Sequence, residues 1–188
     1  MKIYILRHEE RTQDCSFFAP LTKNGLQRSR ELVNILEQCN INIIYSSPFT
    51  RTLQTIYPYS IKKKIKINLE YGFSEIHRQD IIPIKAVGIH LPEYIAENFN
   101  YNPEYKSFVK PNQIKYPESL NNVHQRIKFT LKDIILKNIN TDKNILIVTH
   151  QSLCNFMVKI HNQLKIFNYN TGQLCKIFDN DWECTPIN

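Results

Sequence analysis

Three short stretches, far apart in the chain, carry residues able to handle a phosphoryl group. Arg7-His8 comes first, with Glu9, Glu10 and Arg11 directly behind it. Ser46-Ser47-Pro48 follows, with Arg51 three residues on, and His150 comes late, straight after Thr149. Histidine can act as a nucleophile or exchange protons. The planar fork of arginine matches phosphate oxygens. Two arginines and one or two imidazoles suit an anion rather than a metal ion. Taken singly, each stretch has an ordinary reading: a charged turn, a surface arginine, a helix-capping histidine.

The elements around these residues give them a common location. Ile3, Tyr4, Ile5 and Leu6 form a short apolar run without helical period, as in a strand covered on both faces. Ile41 to Tyr45 reads as a second strand and Ile65 to Leu69 as a short third. Asn144 to Thr149 is the clearest buried strand, and Thr171 to Phe178 is expected to form a final edge strand. Helices fit between them. One starts at Thr22 as N-cap and runs to Cys39. One opens at Ser46-Ser47-Pro48, with serine as N-cap and proline at its first position. A long one runs from Glu118-Ser119 to Asn138, with Leu120, Val123, Ile127, Leu131 and Ile134 on one face. The last covers Gln151 to His161. Alternation of this kind predicts an α/β fold, a three-layer α/β/α sandwich with a mainly parallel sheet. Parallel strands end on one edge, where ligands bind in such sheets, and the following helices aim their N-termini there. Residues 78–117, interrupted by five prolines, read as a small helical cap inserted in a single domain spanning 1–188.

Composition narrows the field. The 188 residues are 42% hydrophobic and carry a net charge of +7, with a pI near 9.1, which favours anionic partners. No apolar run approaches the roughly 20 residues that span a bilayer, and no signal-peptide pattern opens the chain, so no membrane partner is expected. Five scattered cysteines require no disulfide and suit a reducing, cytoplasmic setting. No metal-binding spacing is present, and no cofactor is called for. Lys62-Lys63-Lys64 and Lys66 read as a solvated strand edge. No cysteine has an arginine six residues on, and the glycines of a serine nucleophile elbow are missing.

Taken in order, the motifs resemble those of the histidine phosphatase superfamily, also called phosphoglycerate mutase-like. Arg7-His8 is similar to the family's Arg-His signature. Leu21-Thr22-x-x-Gly25-x-x-Arg28 resembles its Leu-Thr-x-x-Gly-x-x-Gln segment, and Ser46-Ser47-Pro48-x-x-Arg51-x-x-x-Thr55 its Ser-Ser-Pro-x-x-Arg-x-x-x-Thr segment. Glu75-Ile76-His77 looks like the segment with the acidic residue. Pro117-Glu118-Ser119 with Arg126 looks like the Gly-Glu-Ser helix start, and Val148-Thr149-His150 like the second histidine motif.

The resemblance implies a phosphatase in which His8 attacks phosphorus and carries a transient phosphohistidine. Arg7, Arg51 and His150 would hold the phosphoryl oxygens, and Glu75 would serve as proton donor, with Glu9, Glu10 and Asp80 as the other carboxylates to consider. Glu118 reads as an acid suited to a helix start. Three departures stand out: Glu9 replaces a usual glycine, Arg78 to Ile82 replace a Gly-x-Trp-Glu-Gly stretch, and Gln151-Ser152 replace glycines. Glu9 is expected to pair with Arg11. Arg11 also echoes an extra arginine of the acid phosphatase branch, which makes it a candidate phosphate ligand.

The expected substrate is a phosphorylated small molecule or a phosphoprotein. The rivals are a mutase, a silent phosphate-binding member of the fold, and a nucleic-acid binder on charge alone. The cap region lacks paired basic residues for a mutase. No aromatic platform interleaved with basic residues supports nucleic-acid binding.

Overall fold

Strand β1 (Lys2–Arg7) forms where the sequence places its first apolar run, and it lies near the middle of a six-stranded sheet. The computed structural model describes residues 1–14, 16–80, 90–161, 171–178 and 185–187. Helix α1 (Lys23–Gln38) follows, capped by Thr22, whose hydroxyl accepts the Gly25 N–H. Then come β2 (Ile43–Ser46), α2 (Thr50–Lys63), β3 (Ile67–Leu69) and the one-turn α3 (Glu93–Ala96). The chain continues through α4 (Leu120–Asn138), β4 (Asn144–Thr149), α5 (Gln151–His161), β5 (Leu174–Phe178) and β6 (Thr185–Ile187).

The strand order is β3-β2-β4-β1-β5-β6. β3, β2, β4 and β1 are parallel; β5 pairs antiparallel with β1, and β6 with β5. β5 is therefore internal, and the expectation that it forms the edge is corrected: β6 covers its outer side. The sheet has two buried faces because strand residues alternate between them. Tyr4, Leu6, Ile44, Leu146 and Val148 meet Leu32, Val33 and Leu36 of α1 and Leu53, Ile56 and Tyr59 of α2. Ile3, Ile5, Tyr45, Ile145 and Ile147 meet Val123, Ile127, Leu131 and Ile134 of α4 and Leu153, Met157 and Val158 of α5. The result is an α/β fold with helices on both faces of a mainly parallel sheet.

Other expectations need correction. Ser46 and Ser47 do not cap α2; the cap position is Phe49, with no side-chain bond to the helix. Leu120, the first residue of α4, is exposed, because the buried stripe of that helix begins only at Val123. Lys62 and Lys63 end α2 instead of lining a strand, where positive charge suits the helix C-terminus, and both approach Glu37. Part of the expected cap, residues 81–89, lies outside the described residues. Further along the chain, Tyr101 forms a parallel bridge with Ile67, so the 100–102 segment covers the outer side of β3. No described helix is long and apolar enough to cross a membrane.

Candidate active site

Register decides which residues meet. Arg7 is level with Thr149, and Val148 with Ser46, across three adjacent parallel strands. The residues one step beyond, His8, His150 and Ser47, therefore lie side by side at the carboxyl edge. The His8 N–H donates to the Thr149 carbonyl at 3.0 Å and the Ser47 N–H to the Val148 carbonyl at 2.9 Å. The two imidazoles are 5.3 Å apart, edge to face.

His8 is buried and tightly oriented. Its Nδ1 is 2.7 Å from the Glu9 carbonyl oxygen. A carbonyl can only accept, so Nδ1 carries the proton and Nε2 is left with its lone pair. Burial, then the Arg51 charge, then those of Arg7 and Arg11 push the His8 pKa down to about 3, against one favourable bond to Glu9. The ring is thus neutral near pH 7, and Nε2 is nucleophilic.

His150 is fully buried and likewise held neutral, its pKa driven well below the ordinary value by burial, then by Arg51 and His8. Its Nε2 is 2.9 Å from the Ser47 hydroxyl. Phe49 packs edge-on against the ring. The serine that the sequence offered as a helix cap is spent on orienting an imidazole.

Arg51 sits in the first turn of α2, buried, with Nη1 donating to the Ser16 carbonyl at 2.9 Å and its guanidinium 4.6 Å over the Phe49 ring. Thr55, one turn on, donates to the Arg51 carbonyl at 2.7 Å and accepts the Glu9 N–H at 2.9 Å. It joins α2 to the strand end that carries His8.

Glu75 reaches the same place from the loop after β3. Its Oε2 lies 3.6 Å from His150 Nδ1 and 4.0 Å from Arg51 Nη2, and the side chain is 14% exposed. Burial raises its pKa, opposed first by Arg51. Glu75 is therefore a carboxyl inclined to hold its proton beside an imidazole and a guanidinium. The other carboxylates considered lie elsewhere. Glu10 accepts from Asn24 Nδ2 at 2.7 Å and Thr22 Oγ1 at 3.1 Å at the start of α1. Asp80 pairs with Arg78 on the surface.

The loop that carries Glu75 is held from both sides. Glu70, buried, accepts N–H groups from Gly72 at 2.8 Å and Phe108 at 2.9 Å, and hydroxyls from Ser107 and Tyr105. Arg126 donates to the Gly72 carbonyl at 2.8 Å and the Ser74 carbonyl at 3.0 Å, and forms a two-bond pair with Glu118, each bond 2.8 Å. Glu118 is more than a helix-start acid: it is the buried counter-ion of this clamp. Gly72 allows the approach of α4, since a Cβ there would collide with Thr130.

Glu9 and Arg11 do not pair as expected. The Glu9 carboxylate turns away from the imidazoles toward Arg28 Nε, 3.4 Å away. Arg11 Nη1 donates to the Thr12 carbonyl at 2.7 Å and the Gln13 carbonyl at 3.2 Å, bracing its own loop, while its charge still acts on His8 and Glu75. Backbone pairing of Arg11 with Leu21 closes that loop and leaves Glu9 on the α1 side.

The sequence reading missed three supporting residues: Ser47, Thr55 and Arg28. Ser47 was read as a helix cap, and Thr55 stood inside a recognised motif without a stated role. Arg28 was visible as a cation where glutamine is usual. Among the described residues, no group of three or more His, Cys, Asp or Glu side chains could hold a metal ion.

Comparison with known proteins fits this geometry. The sequence profile of the histidine phosphatase superfamily, branch 1, matches residues 3–176. The chain belongs to that superfamily. No curated protein matches it in sequence. Among solved structures, it is similar to the ecdysone phosphate phosphatase of Bombyx mori in complex with tungstate, at 14% identity and a TM-score of 0.74, covering 98% of this chain and 91% of that one. It is also similar to a phosphoglycerate mutase from Bacillus anthracis, at 19% identity and a TM-score of 0.70, covering 100% and 91%. For the α-ribazole phosphatase of Shigella flexneri the values are 17%, 0.68, 100% and 95%. At these identities the likeness concerns the fold. The superfamily member described here keeps both histidines and the motif arginines at one sheet edge.

Proposed function

We propose that this histidine phosphatase superfamily member is an enzyme, a phosphomonoester hydrolase working through a phosphohistidine on His8. The observation that carries the reading is the His8 Nδ1–H bond to the Glu9 carbonyl, which leaves Nε2 unprotonated among Arg7, Arg51 and His150. His8 Nε2 attacks phosphorus, the bond to the ester oxygen breaks, and Glu75 gives that oxygen its proton. Positive charge on the phosphorylated ring is stabilised through Nδ1–H by the Glu9 carbonyl. Water then attacks phosphorus, Glu75 takes the water's proton, and the nitrogen–phosphorus bond breaks to release phosphate. Arg7, Arg51 and His150 bind the equatorial oxygens; Arg11 adds charge at the rim. With Ser47 donating to His150 Nε2, the His150 Nδ1–H faces the phosphoryl oxygens.

Substrates on this reading are phosphorylated small molecules or phosphoproteins, and a cytoplasmic setting suits them. The silent-binder alternative arose from Glu9, and the approach of its carboxylate to Arg28 favours the hydrolase reading over it. The test is transfer of label from a phosphorylated substrate to the protein. Acid-labile, base-stable label should form on wild type and be absent, together with turnover, in His8→Ala. Undiminished turnover in His8→Ala would refute the mechanism.

A further inference from the structure

Two departures from the family motifs, Glu9 and Arg28, face each other. Glu9 is 1% exposed on its side chain and Arg28 is 47% exposed, with 3.4 Å between Oε2 and Nε. A buried carboxylate is costly unless its surroundings compensate it. Here they are shaped for it. Gly172, at φ +69°, lies against the carboxylate, and a Cβ at that position would collide with Glu9 Oε1 and Cδ. The Gly172 N–H donates to the His8 carbonyl at 3.3 Å, so the same glycine touches both residues. The other charges that act on Glu9 are Glu31 on α1 and Glu10, both negative, and Arg7 on the strand end; Arg28 is the cation that compensates it most, with the Glu10 N–H adding a hydrogen bond.

The main chain of Glu9 has a second task. Its N–H is held by Thr55, and its carbonyl holds the His8 Nδ1–H. Movement of the Glu9 peptide would therefore rotate the His8 ring and misdirect Nε2. A buried side chain drawn to Arg28 and packed against Gly172 limits that movement in a way that a glycine could not.

We propose that Glu9 and Arg28 are positioning residues for the nucleophile: their ion pair, seated on Gly172, fixes the peptide that orients the His8 imidazole. The proposal rests on the hydrolase reading, and its test separates the two. The variants are Glu9→Gln, Arg28→Gln, Arg28→Lys and the double Glu9→Gln/Arg28→Gln. The readouts are kcat and KM on nitrophenyl phosphate and the nitrogen-15 spectrum of the His8 ring. Arg28 lies on an exposed helix face, so its variants fold even if Glu9→Gln does not.

Each glutamine variant should lose kcat with little change in KM, toward the ~10²-fold that misplacing a reacting group by about 1 Å costs. The double variant should be no slower than the worse single one, since both act through one peptide. Arg28→Lys should recover part of the loss. In both glutamine variants the His8 ring should shift from one Nδ1–H tautomer toward a mixture. Wild-type kcat and an unchanged His8 spectrum in Arg28→Gln would overturn the proposal, as would additive losses in the double variant. If wild type hydrolyses no ester, the hydrolase reading fails and the His8 spectra alone decide this proposal.

Discussion

Arg126→Leu tests whether the clamp on the Glu75 loop is as important as its geometry implies. The substitution removes a guanidinium that is 5% exposed and bonded twice to Glu118, whose side chain is 2% exposed. It also strips donors from the Gly72 and Ser74 carbonyls. Glu118 would keep only a 3.3 Å bond from the His77 N–H. Removing one partner of a buried ion pair costs about 3–5 kcal/mol, because the other charge is stranded. Against a typical stability of about 5–15 kcal/mol, the variant folds but is weakened. In Arg126→Leu/Glu118→Leu the stranded carboxylate is gone, so the double variant should be more stable than Arg126→Leu by at least about 1 kcal/mol. Urea unfolding followed by circular dichroism measures both. Function gives a second readout. With the loop loosened, Glu75 is misplaced, and hydrolysis of an alkyl phosphate should fall more than that of nitrophenyl phosphate, whose leaving group needs no proton. A loss under about 1 kcal/mol in Arg126→Leu, or a double variant less stable than that single one, would refute the reasoning.

Arg51→Ala and His150→Ala should each lower turnover by about 10²–10³-fold, as loss of one preorganised donor does, and vanadate affinity should fall with it; wild-type kinetics in either would remove that residue from the phosphate site. Glu75→Gln should depress alkyl phosphate hydrolysis far more than nitrophenyl phosphate hydrolysis, and a uniform loss would place the acid elsewhere. Because the acid must be protonated for the first step, and burial raises the Glu75 pKa, the wild-type rate on alkyl phosphates should fall as pH rises through that pKa; the fall should vanish in Glu75→Gln. Buried His77 has a pKa lowered to about 4, so the unfolded chain binds its proton first on acidification. Its contribution to stability, about 3 kcal/mol, is complete above pH 6.5 and is lost as pH falls from there to about 4. Denaturant titrations at pH 7.5 and 4.5 should differ, with buried His8 and His150 adding to the difference in the same sense, and His77→Gln should make it smaller than in wild type.

The fold was legible because strands buried on both faces read as unbroken apolar runs, and five of six strands announced themselves in that way or by alternation. Strand ends told which chemistry-bearing residues would meet, since parallel strands in register deliver them to one edge. Side-chain direction was not legible. Whether Glu9 points toward the two imidazoles or toward α1 depends on how closely α1 approaches the strand end, and Gly25, where a Cβ would collide with the Glu10 carbonyl, sets that approach. Ser47 illustrates the same limit. Local sequence favours a cap, but the cap bond competes with a tertiary one, and the bond to the fully buried His150 wins, since an unpaired buried nitrogen is costly. Glu118 was likewise read from its neighbours in sequence, whereas its role depends on Arg126, two helical turns away.

Glu75 links these observations. Its carboxyl faces His150 Nδ1 and Arg51 Nη2 at 3.6 Å and 4.0 Å, beyond hydrogen-bond length, so it is poised near both groups without being locked to them. An ionised Glu75 and an incoming phosphoryl group would compete for the same two partners. The competition has one favourable outcome: the phosphoryl group brings more negative charge, and like charge raises a carboxyl pKa further in the direction burial has already taken it. On the proposed hydrolase mechanism, substrate binding would therefore favour the protonated form of Glu75. A protonated carboxyl is what the leaving oxygen needs, and it no longer repels the anion. The clamp from Glu70 and Arg126 matters for the same reason. On the proposed mechanism it would keep Glu75 within reach of the leaving oxygen once Arg51 and His150 hydrogen-bond the phosphate, when the Ile76 N–H, at 3.0 Å, is the remaining hydrogen bond to the carboxyl among the described residues.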